Sequence, residues 1–192
     1  MIFSWGFIIS SNKDFIFKLA SEDWEFSLIA DLNYATFVEE IPQHETNNSK
    51  NLIDRFHKEN KYFICLKDKQ LIGMVASRDI RPFSLDEKLG GLGIDNYLPS
   101  DFMKVEIRLL SIQKKSRGGR VIQGLLTMLA RHCVERGYDL AIISGNVSQS
   151  NLYQRLGFVP FGPKLGTSGA LFQPMYLNLI NISDNFGSRF YR

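Results

Sequence analysis

A turn that carries basic residues and two adjacent glycines could bind phosphate groups. It runs from Lys114 to Val121, between a predicted strand and a predicted long helix. Gly118 and Gly119 allow the backbone to approach a ligand closely. The first turn of a helix offers unpaired N–H groups and a partial positive charge, which suit a pyrophosphate, and Arg117 adds charged donors. Taken alone, the turn predicts either such a site or an ordinary strand-to-helix connection.

The stretch from Asn146 to Phe158 carries a more specific pattern. An Asn is followed seven residues later by Tyr153, in the sequence NVSQSNLYQRLGF. This resembles the motif Asn-x-x-Ala-x-x-Leu-Tyr-x-x-x-Gly-Phe of the GCN5-related N-acetyltransferase (GNAT) family, with Gln149 in place of the Ala. The turn described above resembles the family's Arg-x-x-Gly-x-Gly/Ala motif, but Arg120 and Ile122 stand where the family has glycines.

The resemblance implies an N-acyltransferase that moves an acyl group from a CoA-type thioester to a primary amine. Acetyl-CoA or another acyl-CoA would be the co-substrate, a small-molecule amine the acceptor, and no metal would take part. Tyr153 would protonate the leaving thiolate as general acid; the alternative is a packing residue whose hydroxyl meets solvent. The residues implied to bind the donor are Leu110, Ser111 and Ile112 for the pantetheine arm, Arg117, Gly118, Gly119, Arg120, Val121 and Ile122 for the pyrophosphate, and Asn146 for the thioester region.

An attacking amine must also lose a proton, which calls for a base. Some members of the family place a Glu where this chain has Ala141, so that base is absent. Glu106 is the first candidate, because a carboxylate among apolar strand residues needs a partner. The alternative is that Glu106 pairs with Arg108 or Arg78 and orients a substrate or stabilises a loop. The residues predicted to bind the acceptor are Arg108, Glu39 and His44. Glu39 and His44 belong to a group that also contains Glu40, and a solvated helix end would also explain Glu39.

Two narrower resemblances bear on the donor and on partners. The strand around Glu106 and Arg108 is similar to the central strand of N-acyl amino acid synthases and acyl-homoserine-lactone synthases, which implies an acyl carrier protein thioester as an alternative donor. The segments 37–44, 81–84 and 153–163 resemble GNAT-like domains joined to pyridoxal-phosphate aminotransferases, which implies an aminotransferase partner. A further alternative is a non-catalytic module that binds CoA or an acyl carrier, or docks a partner.

The elements that must position these residues follow from hydrophobic periodicity and turn residues. Seven strands, four helices and a long connection at 79–101 predict an α/β fold with a mixed sheet: a GNAT-like, central six- to seven-stranded sheet flanked by helices on both faces. Residues 1–180 are predicted to form a single domain and 181–192 a frayed tail. The predicted strands are 15–19, 62–66, 71–77, 104–113, 140–144, 158–161 and 172–179, and the predicted helices are 22–38, 49–59, 117–136 and 148–156.

Three local signals refine these elements. Ser21 is a predicted N-cap of the first helix, and Ser84 with Glu87 predicts a capping box inside the long connection. The two central hairpin strands are predicted to be joined by a four-residue loop at 67–70.

Composition excludes several other classes of protein. The chain has 192 residues, 44% hydrophobic and 22% charged, with a net charge of +3, which suits an ordinary globular protein. The basic cluster at 114–120 is too short for a nucleic-acid footprint. Cys65 and Cys133 lie in apolar runs and predict neither a disulfide framework nor a metal site. With no basic leader and no apolar run of ~18 residues, the expected location is cytoplasmic, away from membranes.

Overall fold

The computed structural model describes residues 9–10, 15–91, 93–117, 119–167 and 170–180. The chain divides into two compact units, one from Met1–Ser77 and Leu109–Ala130 and one from Arg78–Arg108 and Arg131–Arg192. The predicted tail at 181–192 lies outside the described residues, and a single domain over 1–180 stays a prediction. The unit boundaries fall inside two strands and one helix, so each of these elements contributes residues to both units.

The first unit is built on antiparallel strands. It contains β1 (Ile9–Ser10), β2 (Ile16–Leu19), β3 (Lys61–Lys67), all of β4 (Gln70–Arg78) except Arg78, and the end of β5 (Lys104–Ile112). β2 pairs with β3 and β3 with β4 in antiparallel register. Beyond β5, Gln113 donates its backbone N–H to the Ile72 carbonyl at 2.9 Å. The strands predicted at 62–66 and 71–77 are therefore confirmed.

The turn between β3 and β4 is shorter than predicted. Lys67 pairs with Gln70, so the loop contains only Asp68 and Lys69 instead of four residues. These two residues have φ of 49° and 60°, which is the left-handed conformation that a two-residue type I′ hairpin turn requires. The right-handed twist of the two strands favours a turn of this type. The ladder therefore extends to Lys67 and Gln70, which were predicted to lie in the loop.

The second unit contains the start of β5 and the remaining strands. Lys104–Glu106 pairs in parallel with the start of β6 (Leu140–Asn146). Along its whole length β6 pairs antiparallel with β9 (Ala170–Asn178). The short strands β7 (Val159–Pro160) and β8 (Leu165–Thr167) both pair with β9. The parallel pair and the antiparallel pairs confirm the mixed sheet.

The hydrogen-bonded strand order is β1-β2-β3-β4-β5-β6-β9-β7, with β8 attached to β9. The mixed α/β fold with a helix-flanked sheet is confirmed, but the described residues form nine strands where six to seven were predicted. The additional strands are β1 and β8, which have two and three residues and are too short to show a period in the sequence.

The helices are α1 (Asp23–Tyr34), α2 (Ser84–Leu89), α3 (Gly119–Arg136) and α4 (Ser150–Arg155). α1 continues into a π-helical turn, Ala35–Glu40. Together the two helical segments confirm the helix predicted at 22–38. Its N-cap is Glu22 rather than Ser21. The carboxylate of Glu25 accepts hydrogen bonds from the backbone N–H groups of both residues, at 2.8 Å from Ser21 and 3.2 Å from Glu22.

The helix predicted at 49–59 is wrong, because this segment forms turns. The Asp54 carboxylate accepts the Phe56 backbone N–H at 3.0 Å, and Asn47 donates its side-chain amide to the Asn51 carbonyl at 2.9 Å. Such local side-chain bonds compete with helix formation. Ile53, within this segment, has 65% of its surface exposed.

The capping box predicted at Ser84 and Glu87 is displaced by one residue. Phe83 precedes α2, and its backbone N–H donates to the Asp86 carboxylate at 2.7 Å. Ser84 is therefore not the capping residue, and its hydroxyl donates a hydrogen bond to Glu106.

Each unit has its own hydrophobic cluster. In the first unit α1 packs on β3 and β4, and α3 lies so close to β2 that a Cβ built on Gly124 would meet the Phe17 ring at 2.3 Å; only glycine fits there. In the second unit the connection at 79–101 packs on β6. The buried members of the first cluster are Ile29, Leu32, Tyr62, Ile64, Leu66, Leu71, Met74 and Ala76. Those of the second are Phe83, Leu85, Ile94, Leu98, Leu140 and Ile142.

Candidate active site

A cleft of about 660 Å³ opens in the first unit. One wall is acidic and comes from α1 and its π-helical turn, and the other is basic and comes from the end of β5, the following turn and the β3–β4 turn. Apolar side chains lie between the two walls. The lining residues are Leu28, Asp31, Leu32, Ala35, Thr36, Glu39, Glu40, Lys69, Gln70, Leu71, Ile112, Gln113, Lys114, Lys115 and Arg117.

Arg117, predicted to bind pyrophosphate, faces this cleft and is paired with Glu40. The two terminal guanidinium nitrogens donate to the two carboxylate oxygens at 2.6 and 2.5 Å. Nε of Arg117 donates to the Ile112 carbonyl at 3.1 Å. The hydrogen bonds from Arg117 hold the pKa of Glu40 below its usual value, and the same bonds raise the pKa of Arg117. Both groups are therefore charged at neutral pH and form a bidentate ion pair.

Lys114, Lys115 and Arg120 of the predicted phosphate turn are exposed, whereas Val121 and Ile122 are not. Lys114–Ser116 forms a single 3-10 turn, and α3 begins at Gly119 with Arg120 on the surface. Val121 is 3% exposed and packs toward β4, where its Cγ1 would be 3.2 Å from a Cβ on Gly73. Only its backbone could contact a ligand. Ile122 is partly buried, and Gly118 lies outside the described residues.

The end of β5 carries a strained residue that the sequence did not indicate. Leu109 has φ of 54°, a left-handed conformation that costs a non-glycine residue about 1 kcal/mol or more. It directly precedes Leu110, Ser111 and Ile112, whose backbone groups were predicted to meet the pantetheine arm. Ser111 is 1% exposed, and its hydroxyl has no hydrogen-bond partner within the described residues. Strain of this kind persists where the surrounding structure fixes it, and it clusters at ligand-binding sites.

Two residues predicted to bind the acceptor are also in the first unit. Glu39 is exposed and lines the cleft. His44 is exposed and is not among the residues that line the cleft. The structure therefore brings Glu39 to the same cleft as Arg117 and leaves His44 outside it.

Glu106 lies in the second unit and is 1% exposed. Its carboxylate accepts the backbone N–H groups of Ser84 and Leu85 at 3.1 and 3.3 Å, together with the Ser84 hydroxyl. Arg108 Nη1 is 3.8 Å from the same carboxylate. Of the two roles predicted for Glu106, these contacts favour the structural one, because the carboxylate joins the first residues of α2 to β5. Arg108, predicted to bind the acceptor, contributes to this buried ion pair.

The ring of Tyr153 packs against the end of β6, at Gly145. A Cβ built on Gly145 would lie 2.9 Å from the edge of the Tyr153 ring, so the ring packs directly on the backbone there. Phe158 approaches edge-on, with ring centroids 6.4 Å apart. Burial raises the pKa of Tyr153 above its usual value, and a contact with the Asn146 backbone lowers it to a smaller extent. The phenol therefore keeps its proton at neutral pH, as a general acid must.

Asn146 ends β6 and shapes the turn that leads to Tyr153. Its side-chain oxygen accepts the backbone N–H and the hydroxyl of Ser148, both at 2.9 Å. The short 3-10 turn at Val147–Gln149 and then α4 follow. Asn146 therefore positions the segment that carries Tyr153, and the structure brings these two predicted residues together.

We expect Gly145→Ala to displace the Tyr153 ring. The added methyl group would sit closer to the ring than packed atoms allow, and overpacking of this kind costs about 1–3 kcal/mol. Urea unfolding should show that loss. In a Tyr153→Leu background, where the ring is gone, the same substitution should cost less than half as much. Equal costs in the two backgrounds would contradict the contact.

The two cysteines are unsuited to carry an acyl group. Both are buried, and burial raises the pKa of Cys65 to about 11 and that of Cys133 to about 12. The nucleophilic thiolate is therefore scarce at neutral pH.

Within the described residues there is no cluster of three His, Cys, Asp or Glu side chains that could hold a metal ion. None of the helices in this part of the chain has the length and apolar character that a membrane span requires.

The pairing of Glu40 with Arg117 was not predicted from the sequence. The two residues lie 77 positions apart. Neither spacing nor periodicity signals a contact at that separation.

Comparison with known proteins identifies relatives by family model and by fold. The family model "Acetyltransferase (GNAT) domain" matches residues 29–179, whereas no curated protein matches the sequence. The structure is similar to that of BjaI, a CoA-dependent acyl-homoserine lactone synthase solved with SAM and isopentyl-CoA: 16% identity, TM-score 0.67, covering 85% of this chain and 81% of that one.

Two further structures share the fold. FeeM, an N-acyl amino acid synthase from uncultured soil microbes, is 14% identical with a TM-score of 0.70, covering 87% of this chain and 92% of that one. An N-acetyltransferase from Staphylococcus aureus Mu50 is 12% identical with a TM-score of 0.60, covering 87% and 99%.

Proposed function

Because the chain belongs to the GNAT acetyltransferase family, and is on that ground an acyltransferase, we propose that it transfers an acyl group from a CoA thioester to a primary amine by direct attack. The amine nitrogen forms an amide bond with the acyl carbon, the carbon–sulfur bond breaks, and the thiolate takes a proton. The amine releases its own proton to a base or to water.

The observation that carries this proposal is the phenol of Tyr153. It occupies the Tyr position of the motif that the sequence resembles, its ring packs on Gly145, and burial raises its pKa. A protonated phenol of fixed position suits the donation of a proton to a leaving thiolate. Leu109 supports the same function, since its strained backbone precedes the residues proposed to meet the pantetheine arm.

We assign the donor's pyrophosphate to the turn after β5. Arg117 and Arg120 supply charge, and the 18-residue helix α3 begins beside them at Gly119, with unpaired N–H groups at its first turn. Gly118 completes the turn in the sequence. For the acceptor we propose the cleft wall that carries Glu39, because a carboxylate attracts an ammonium group before it is deprotonated.

A CoA-type donor is expected to raise the melting temperature of the protein. At a concentration 100 times its Kd, a ligand stabilises the folded state by about 2.7 kcal/mol, which corresponds to roughly 5–10 °C for a chain of this size. Differential scanning fluorimetry with CoA, acetyl-CoA and a longer acyl-CoA measures the shift. Arg117→Gln should reduce it, since that substitution removes a phosphate ligand. No shift with any of the three would contradict the donor site.

An acyl-transfer assay with an amine panel then tests turnover itself. Native mass spectrometry of freshly purified protein would show whether the bound donor is an acyl-CoA or an acylated carrier protein. The carrier-protein donor and the aminotransferase partner stay predictions that rest on sequence resemblance.

A second candidate is a non-catalytic module that binds CoA, and one observation favours it. Glu106, the first candidate for the base, is fully engaged in holding α2. A protein that binds CoA tightly and shows no transfer to any amine would support this second function.

A further inference from the structure

The carboxylate of Glu40 contacts the guanidinium group that the proposed function assigns to the donor's pyrophosphate. A guanidinium group can bind a phosphate through two hydrogen bonds in two ways: end-on through its two terminal nitrogens, or side-on through Nε and one terminal nitrogen. Glu40 takes the end-on pair of Arg117, at 2.6 and 2.5 Å. The Nε–H needed for the side-on pair is donated to the Ile112 carbonyl at 3.1 Å. Within the described residues, Arg117 therefore keeps no complete pair of donors for a phosphate.

The pair is accessible enough to be exchanged. The side chain of Arg117 is 42% exposed and that of Glu40 is 22% exposed, and ion pairs in contact with water are typically worth only up to about 1 kcal/mol. Glu40 is the last residue of the π-helical turn Ala35–Glu40. Rotation of its side chain would free the end-on pair without breaking a strand or a helix.

We propose that Glu40 is a built-in competitor of the acyl donor: its carboxylate occupies Arg117, and the pyrophosphate must displace it to bind. Glu40 thereby lowers the affinity for the donor and sets how readily CoA leaves after transfer. This inference rests on the proposed function, since it requires Arg117 to receive the pyrophosphate.

The test is the affinity for inorganic pyrophosphate and for CoA, measured by isothermal titration calorimetry. Glu40→Gln keeps the size of the side chain but removes its charge. We expect it to bind both ligands about three- to fivefold more tightly than the unchanged protein, the size of effect that an exposed ion pair can produce. The matched control is Glu45→Gln, which makes the same change of charge at an exposed residue outside the cleft. Its affinities should differ less than twofold from those of the unchanged protein.

A double-variant cycle separates competition from a general effect of charge. In an Arg117→Gln background there is nothing for Glu40 to occupy, so Glu40→Gln should change the affinity less than twofold. Thermal unfolding of each variant verifies that it is folded, and Glu40→Ala provides a second probe if Glu40→Gln is unstable.

Three results would overturn the inference. Equal affinities for the unchanged protein and Glu40→Gln would refute competition while leaving the donor site in place. Weaker binding by Glu40→Gln would show that Glu40 positions Arg117 for the phosphate. Failure of every variant to bind CoA or pyrophosphate would refute the donor site at this turn and the competition with it.

Discussion

Replacing Tyr153 with Phe is expected to slow acyl transfer by about 100-fold or more while leaving the affinity for CoA within twofold. The substitution removes one hydroxyl group and keeps the ring that packs on Gly145. A positioned general acid contributes about 10²–10⁴ to a rate, and its loss affects a step that follows donor binding. Steady-state kinetics should therefore show a fall in kcat with little change in the KM for the donor.

A matched control separates the role of this hydroxyl from the general effect of removing one. Tyr97 belongs to the same unit and is 45% exposed, and Tyr97→Phe should leave the rate within a factor of two. If Tyr153→Phe were as fast as the unchanged enzyme, the thiolate would be protonated by another group and Tyr153 would be a packing residue.

Glu106→Ala is expected to lower the free energy of unfolding by about 3–5 kcal/mol. The substitution leaves the Ser84 and Leu85 backbone donors and the Ser84 hydroxyl buried without an acceptor, and it removes the charge that faces Arg108. Loss of one partner from a buried charged pair costs this much in other proteins. Urea unfolding measures it, with Glu87→Ala, an exposed carboxylate of α2, as the control that should cost under about 1 kcal/mol.

The same residue allows the structural role to be separated from that of a base. Glu106→Gln retains one oxygen that can accept a backbone N–H. A fraction of the molecules should therefore remain folded at low temperature. If Glu106 only holds α2, the folded fraction should transfer acyl groups within about tenfold of the normal rate. A loss beyond 100-fold with the fold intact would identify Glu106 as the base after all.

The sequence predicted elements whose signals are local. The Asn146–Phe158 stretch contains its strand end, turn and helix within 13 residues, and the structure has this order. The hydrophobic periodicity that predicted α3, β5 and β6 is a local signal of the same kind. The helix predicted at 49–59 does not form because the side chains of Asn47 and Asp54 bond to nearby backbone groups, and apolar spacing does not reveal such bonds.

The parts of the candidate site that the sequence could not predict depend on contacts between distant residues. Nothing in the residues beside Leu109 indicates a φ of 54°, since Leu is not a residue that adopts this conformation readily. The three hydrogen bonds to Glu106 come from residues 21 and 22 positions away. Their donors lie in the connection at 79–101, and no local pattern predicts that this connection folds back on β5.

The pairing of β9 has a consequence for how the chain folds during its synthesis. β9 is the partner of β6 along its whole length and of both β7 and β8, yet it is the last of these strands to be made. Until Asn178 has been added, β6 exposes an unpaired edge to other chains, and such edges promote aggregation. A nascent chain halted before Ala170 should therefore depend on chaperones far more than one that has passed it.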